Sequence, residues 1–281
     1  MKITQVYENF KDAEGAFCCS ICQNDMTFQK GASLVCMKGH CFDLSKYGYI
    51  NFLQKQTKTP YNKELFESRR RVFEAGFYDD VINKIEDLIK QHASKSNGRL
   101  LDAGCGEGFF TNRLADDLGY QVFAADIEKE AIKIGARAGS SAKFFVGDLA
   151  KLPLQTSIVD VIVNIFSPAS YEEFHRVLTE DGLVIKVVPN EHYLVELREG
   201  AKDQLSGERY SNHQVINLFE TNLQALYHQR LTYTLPLTAE QRSDFMAMTP
   251  MMFHVDRTKV DLDAIQTITI DVDVLVGKVK R

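Results

Sequence analysis

The chain has 281 residues and a mass of 31.9 kDa, with 44% hydrophobic and 25% charged residues. That is the composition of a packed globular protein and excludes a wholly disordered chain. A formal net charge of −5 and a pI near 5.8 exclude an overall basic coat for nucleic acid, so any such face has to be local. No run approaches the roughly 18 to 20 apolar residues of a spanning helix. The opening MKITQVYENFKDAEG has no basic-then-apolar signal pattern. The expectation is a cytoplasmic protein with no membrane partner, in a compartment that keeps thiols reduced.

Five of the six cysteines, Cys18, Cys19, Cys22, Cys36 and Cys41, cluster near the N-terminus, and only Cys105 lies elsewhere. Clustered thiols in a reducing compartment read as metal ligands before disulfides. The best frame is Cys19-Ser-Ile-Cys22, then thirteen residues, then Cys36-Met-Lys-Gly-His40. A C-x2-C knuckle brings two thiolates to one ion from a tight turn, and a C-x3-H pair closes the tetrahedron. Thiolates with imidazole select zinc, and four protein ligands make one structural ion with no open position. Cys18 and Cys41 sit beside better-spaced ligands and read as packing residues or neighbours.

The metal module spans residues 17 to about 53. Residues 48–60 lose periodicity and read as a linker. Helices are expected at 61–76, which carries Arg69-Arg70-Arg71, and at 78–92, with Val81, Ile82, Ile85, Leu88 and Ile89 on one face. Strands follow at 99–103, 121–125, 142–146, 158–165 and 183–188. They alternate with amphipathic segments at 109–118, 128–138 and 170–178. Short apolar strands alternating with helices indicate a parallel sheet covered on both faces. A polar helical stretch (191–220), a strand (224–235), a helix (238–248) and a long alternating strand (265–279) complete the chain. The expected organisation is a zinc-binding domain at 1–60, a helical linker at 61–95 and an α/β domain at 96–281.

The segment Leu100-Leu-Asp-Ala-Gly-Cys-Gly-Glu-Gly108 follows a strand and opens a helix. Glycines there, Gly104 and Gly106 among them, let a ligand approach the backbone and the free helix N–H groups. The spacing misses the G-x-G-x-x-G dinucleotide fingerprint. Asp102, just before the loop, suits a cationic amino-acid ligand better than a pyrophosphate. Asp126 ends the next strand, where a carboxylate can accept ribose hydroxyls. Gly147-Asp148-Leu149 follows the third strand and offers a further carboxylate and backbone N–H. Together these stations resemble a class I S-adenosylmethionine-dependent methyltransferase: an α/β, Rossmann-like, doubly wound sheet with an antiparallel C-terminal strand.

The chain as a whole resembles the RlmA family of 23S rRNA guanine-N1 methyltransferases. The segments that carry the resemblance are CSIC with CMKGHCFDLSKYGYINFL, then RRRVFEAGFYDD and LDAGCGEGFFTNRLA. Phe166-Ser-Pro168-Ala, VVPNEHYLVELR and Met248-Thr-Pro250 continue it. The resemblance implies zinc at Cys19, Cys22, Cys36 and His40. It implies S-adenosylmethionine contacts from Gly106, Glu107, Tyr78 and His192, a 23S rRNA hairpin as partner, and a homodimer. The target-base pocket is expected after the fourth strand, at Asn164, Phe166, Ser167 and Pro168, with Phe166 stacking on the guanine and Asn164 bonding its edge. The match to the N-P-P-Y pocket of adenine enzymes is poor, because Ile165 and Phe166 intervene, and no general base is identified.

Charge distribution points the same way. Residues 27–72 hold nine Lys/Arg against three acids, +6 within a chain of −5. Tyr47, Tyr49, Phe52 and Tyr61 interleave with these charges and could stack on unpaired bases, although Tyr49 and Phe52 fit the module's own small core better. Two other functions stay open at this point. One is methylation of a small metabolite or a protein, with the zinc module as a docking device. The other is zinc-dependent RNA binding without catalysis.

Overall fold

A computed structural model describes residues 2–29, 31–55, 63–205 and 210–280. The chain opens with helix α1 (Ile3–Phe10), which runs into a 3-10 turn. Three short strands then build the metal module: β1 (Met26–Gln29), β2 (Ser33–Cys36) and β3 (Cys41–Asp43), antiparallel in that order. Next come β4 (Tyr49–Asn51), α2 (Lys63–Glu74) and α3 (Asp79–His92). The alternating region is β5 (Arg99–Ala103), α4 (Phe109–Asp117), β6 (Gln121–Asp126), α5 (Lys129–Ala136), β7 (Lys143–Val146), β8 (Val159–Ile165), α6 (Tyr171–Val177) and β9 (Leu178–Pro189). The chain finishes with α7 (Val195–Gly200), α8 (His213–Asn222), β10 (Leu223–Pro236), α9 (Ala239–Met248) and β11 (Thr267–Val279).

Eight strands form one sheet in the order β10-β11-β9-β8-β5-β6-β7-β4. From β9 to β4 every neighbour is parallel, while β11 and β10 are antiparallel. The apolar runs of β5 to β9 are buried on both faces, as a helix-covered parallel sheet requires. The strand order reverses between β5 and β8, and a ligand crevice belongs at their carboxyl ends.

Of the linker expected at 48–60, residues 56–60 lie outside the described residues, and the described part is not simply a linker, because Tyr49, Ile50 and Asn51 pair with Phe144, Phe145 and Val146 at the edge of the large sheet. The Phe52 N–H continues the pairing to the Val146 carbonyl at 2.9 Å. A three-residue parallel partner almost a hundred residues away carries no local periodicity, which is why the sequence hides it. The region expected to be helical at 191–220 also differs. Residues 191–194 form a turn tied to β11, with the Leu194 N–H bonded to the Thr269 carbonyl, and α7 and α8 are separate helices. The expected strand at 183–188 begins earlier, at Leu178, with a register shift opposite Val159.

The metal module is bolted to the sheet by aromatic packing. The Phe17 ring lies 5.5 Å from Phe52, 5.6 Å from Phe123 and 5.8 Å from Phe145. Val6 and Phe10 of α1 are buried in the same cluster. Among the described residues no helix is long and apolar enough to cross a membrane.

Candidate active site and metal centre

The two knuckles converge. The Sγ atoms of Cys19, Cys22 and Cys36 and a ring nitrogen of His40 all lie within 4.8 Å of one another. Cys22 Sγ is 3.7 Å from Cys36 Sγ, and His40 Nδ1 is 3.4 Å from both Cys19 Sγ and Cys36 Sγ. A zinc tetrahedron with Zn–S of about 2.3 Å and Zn–N of about 2.0 Å has edges of about 3.8 and 3.5 Å, so the donor set fits one zinc ion. Each knuckle is closed by its backbone. The Gln23 N–H bonds to the Cys19 carbonyl at 2.8 Å, and the Gly39 N–H to the Cys36 carbonyl at 2.8 Å, with Gly39 at φ +81. The backbone N–H of Asn24 helps pull the Cys22 thiol down to about 6, toward the thiolate a metal requires. Cys18 donates to the Leu154 carbonyl and Cys41 faces Asp43, so neither joins the cluster.

The second site is a cavity of about 430 Å³ over the carboxyl ends of β5, β6 and β8. Asp102, Gly104, Gly106, Glu107 and Asp126 line it, together with Tyr78, Phe166, Ser167 and Pro168. Asp102 is buried and accepts a 2.5 Å hydrogen bond from the Thr111 hydroxyl in the first turn of α4. Burial pushes its carboxyl up to about 7, against the lowering pull of that bond, and Asp126 adds to the rise. Asp126 accepts from the backbone N–H groups of Gly106 and Glu128, both at 2.8 Å. Each oxygen keeps a lone pair for a further donor. Glu107 is buried, with Oε2 paired to Arg69 Nη1 at 3.1 Å and Oε1 without a partner. Gly104 has φ +85, and a Cβ there would overlap Ser167 Oγ. The glycine therefore lets the loop after β8 press onto the loop after β5.

The remaining expected residues are placed differently. Asn164 is fully buried and does not line the cavity. Its amide donates to the Ala103 carbonyl at 2.7 Å and the Pro168 carbonyl at 3.2 Å, and its Oδ1 accepts from Lys186 Nζ at 2.5 Å. It ties the two loops together instead of presenting an edge to a base. Asp148 is exposed, bonds the Ala150 N–H, and borders a neighbouring depression with Ser20 and Phe52. Leu149 packs behind Gly104. His192 is exposed, with its backbone N–H on Asp271 and its ring beside Arg230. Tyr193 lines the cavity in its stead, and its hydroxyl meets that of Tyr78 at 2.6 Å. Phe166, at φ +51 and 36% exposed, sits 5.4 Å from the Tyr193 ring and 6.0 Å from Tyr78.

Four residues at or beside the candidate site were not singled out for it by the sequence. Arg69 counted there as part of a basic surface run, yet it points into the cavity. Arg70 pairs with Glu74, and Arg71 spans from α2 to Asp244 of α9 at 2.9 Å. Arg69 is thus withdrawn from the basic face, whereas Arg70 and Arg71 stay exposed with acidic partners, Lys38, Lys46 and Lys55 are exposed, and Tyr61 lies outside the described residues. Tyr193 and Thr111 gave no signal of their own. Lys186 did: a lysine inside the apolar run Leu-Val-Ile-Lys-Val-Val has to find buried acceptors, here Asn164 and the Ser167 carbonyl.

The donor set matches a ligand with a cationic amino-acid end and ribose hydroxyls. Four carboxylates, Asp102, Glu107, Asp126 and Glu128, face one cavity, and one buried acceptor is left open. The fold and the donors thus suit S-adenosylmethionine, as the zinc ribbon suits zinc. A profile of the RlmA N-terminal zinc ribbon matches residues 17–60, and a methyltransferase-domain profile matches residues 100–182. YxjB of Bacillus subtilis, a provisionally named 23S rRNA (guanine-N(1)-)-methyltransferase, is 37% identical over 271 residues, covering 93% of this chain and 96% of YxjB. The 23S rRNA (guanine(748)-N(1))-methyltransferase of Streptomyces fradiae is 27% identical over 252 residues, covering 85% and 89%. A chain from the complex of the Haloferax volcanii Trm112 methyltransferase activator with a methyltransferase superposes with a TM-score of 0.51 at 15% identity, covering 79% of this chain and 100% of that one. That likeness concerns the fold alone. With 37% identity sustained across nearly the whole of both chains, and the ribbon matched by its own profile, this protein belongs to the RlmA methyltransferase family.

Proposed function

We propose that the chain methylates N1 of a guanine in a hairpin loop of 23S rRNA, as a cytoplasmic enzyme that assembles into a homodimer. The observation that carries this reading is the acid-rich glycine cavity opening onto an exposed aromatic, Phe166, on a chain whose relatives YxjB and the S. fradiae enzyme are named for this reaction. Bound S-adenosylmethionine supplies a methyl carbon already activated by its sulfonium.

What the chain contributes is mainly position. Asp126 offers its free lone pairs to ribose hydroxyls, and Asp102 and Glu107 offer carboxylates to the cationic end of the cofactor. Phe166, held against Tyr193 and Tyr78, forms a wall on which a guanine can stack. N1 of a paired guanine is inaccessible, so a loop nucleotide or an extruded one is the substrate that reaches this wall. Asn164 and Lys186 fix the 166–168 segment against the cofactor loop and so set the distance between the two ligands. Cys19, Cys22, Cys36 and His40 would hold a zinc ion that cross-links the module, whose exposed Lys38 and Lys46 meet phosphates.

The test is transfer of labelled methyl from S-adenosylmethionine to undermethylated 23S rRNA. Label in the RNA is expected. Label confined to small molecules or protein would overturn the substrate assignment, and light scattering at the monomer mass would overturn the dimer.

A further inference from the structure

The cavity wall presents a charge problem. S-adenosylmethionine carries two positive groups, the sulfonium and the α-ammonium, and one negative group, the α-carboxylate. Four carboxylates face the cavity and suit the cations. The same four repel the ligand's carboxylate. Among the described residues lining the cavity, Arg69 is the one cation. It comes from α2, outside the sheet that supplies the glycine loop.

Its geometry is that of a residue kept for a ligand. The side chain is largely buried, at 21% exposure. Nη1 stands 3.5 Å from where a Cβ on Gly106 would lie, so the guanidinium hangs over the glycine loop. Its one hydrogen bond among the described residues is the 3.1 Å contact to Glu107. A guanidinium has five N–H donors in a planar fork that matches a carboxylate. The Phe66 ring, 5.9 Å from the guanidinium carbon, supports one side of it.

We propose that Arg69 binds the α-carboxylate of S-adenosylmethionine and sets the selectivity of the cavity for an intact amino-acid end. This rests on the cofactor reading above and deepens it. Glu107 orients the guanidinium through the bond already formed, and the unused donors meet the ligand. Because Arg69 lies on the segment that follows the zinc module, the cofactor site is completed from outside the methyltransferase sheet.

Calorimetric titration with two ligands tests it: S-adenosylmethionine and its decarboxylated analogue, which keeps the sulfonium and the amine. The wild-type chain should prefer the intact cofactor. Arg69→Met should weaken intact-cofactor binding roughly ten- to a hundredfold, the worth of a charge-assisted pair. It should leave binding of the analogue within about threefold, so that the preference collapses. Arg69→Lys, which keeps charge but loses the fork, should fall between. Equal losses for both ligands in Arg69→Met, or none for either, would overturn the proposal while leaving the cofactor reading intact. A wild-type chain that binds neither ligand would overturn both. Unchanged melting temperature and metal content confirm that each variant is folded, and Arg69→Gln replaces Arg69→Met if that variant is not.

Discussion

Asp102, next to last in β5, has its carboxyl out of water and one strong donor, the Thr111 hydroxyl, on it. Burial raises the group from an ordinary 3.8 to about 7, so near neutrality the empty cavity holds a mixture of acid and carboxylate. A cationic ligand selects the carboxylate. Cofactor affinity should therefore rise by up to about tenfold per pH unit below about pH 7 and level off above it. Binding below pH 7 should release protons, and calorimetry in buffers of different ionisation enthalpy reads that release. Asp102→Asn should flatten the profile. The folding linkage has the opposite slope: the folded chain holds a proton that the unfolded chain has lost, so this group's contribution to stability falls as pH rises from about 4 to about 7. Gly104→Ala is the second test at this scale. A side chain at φ +85 costs about 1–2 kcal/mol, and the added Cβ drives Ser167 off the loop. Cofactor affinity should drop about tenfold or more, and an unchanged dissociation constant would contradict the packing of the two loops. Residue identity was legible where chemistry is local, as in the metal ligands and the glycine loop. It was not legible for Arg69, whose partner Glu107 is 38 residues away and whose neighbours Arg70 and Arg71 do point elsewhere. Nor did it separate His192 from Tyr193, because only the turn after β9 decides which of two adjacent side chains faces the cavity.

The strands and helices of the sheet were readable because each buries its own periodic face. The joints between elements were not, since they depend on partners distant in sequence. Tyr49–Asn51 shows this best, a strand only because β7 offers its edge. Two variants separate the module's roles. Cys22→Ser removes one of four ligands and should release the metal, with local unfolding of β1 to β3. The large sheet and cofactor binding should persist, while methyl transfer to RNA falls. Retention of one zinc per chain by metal analysis would contradict the ligand assignment. Phe52→Ala removes a buried ring shared by Phe17, Phe42 and Phe145. A loss of about 3–5 kcal/mol is expected from urea unfolding. A loss under about 1 kcal/mol, outside that range for a buried phenylalanine, would mean that the module does not lean on the sheet.

At the scale of the molecule, a zinc-clamped ribbon is packed edge-on against a methyltransferase sheet, and α2 returns from the ribbon to roof the cofactor cavity. This arrangement couples a positively charged surface, carried by the exposed lysines of the ribbon and its neighbours and by the acid-paired Arg70 and Arg71, to an acidic pocket in an otherwise acidic chain. Long-range steering of RNA to those lysines should weaken with salt, so RNA affinity is expected to fall steeply between low and physiological ionic strength. Cofactor affinity, set by buried groups, should change little over the same range. The most direct measurement is primer extension on undermethylated 23S rRNA after reaction with the chain and S-adenosylmethionine, with nucleoside mass spectrometry of the product. The proposed reaction predicts a single new stop at a loop guanine and the appearance of N1-methylguanosine. Methylation at any other position of the base, or a methylated product with no stop, would contradict it.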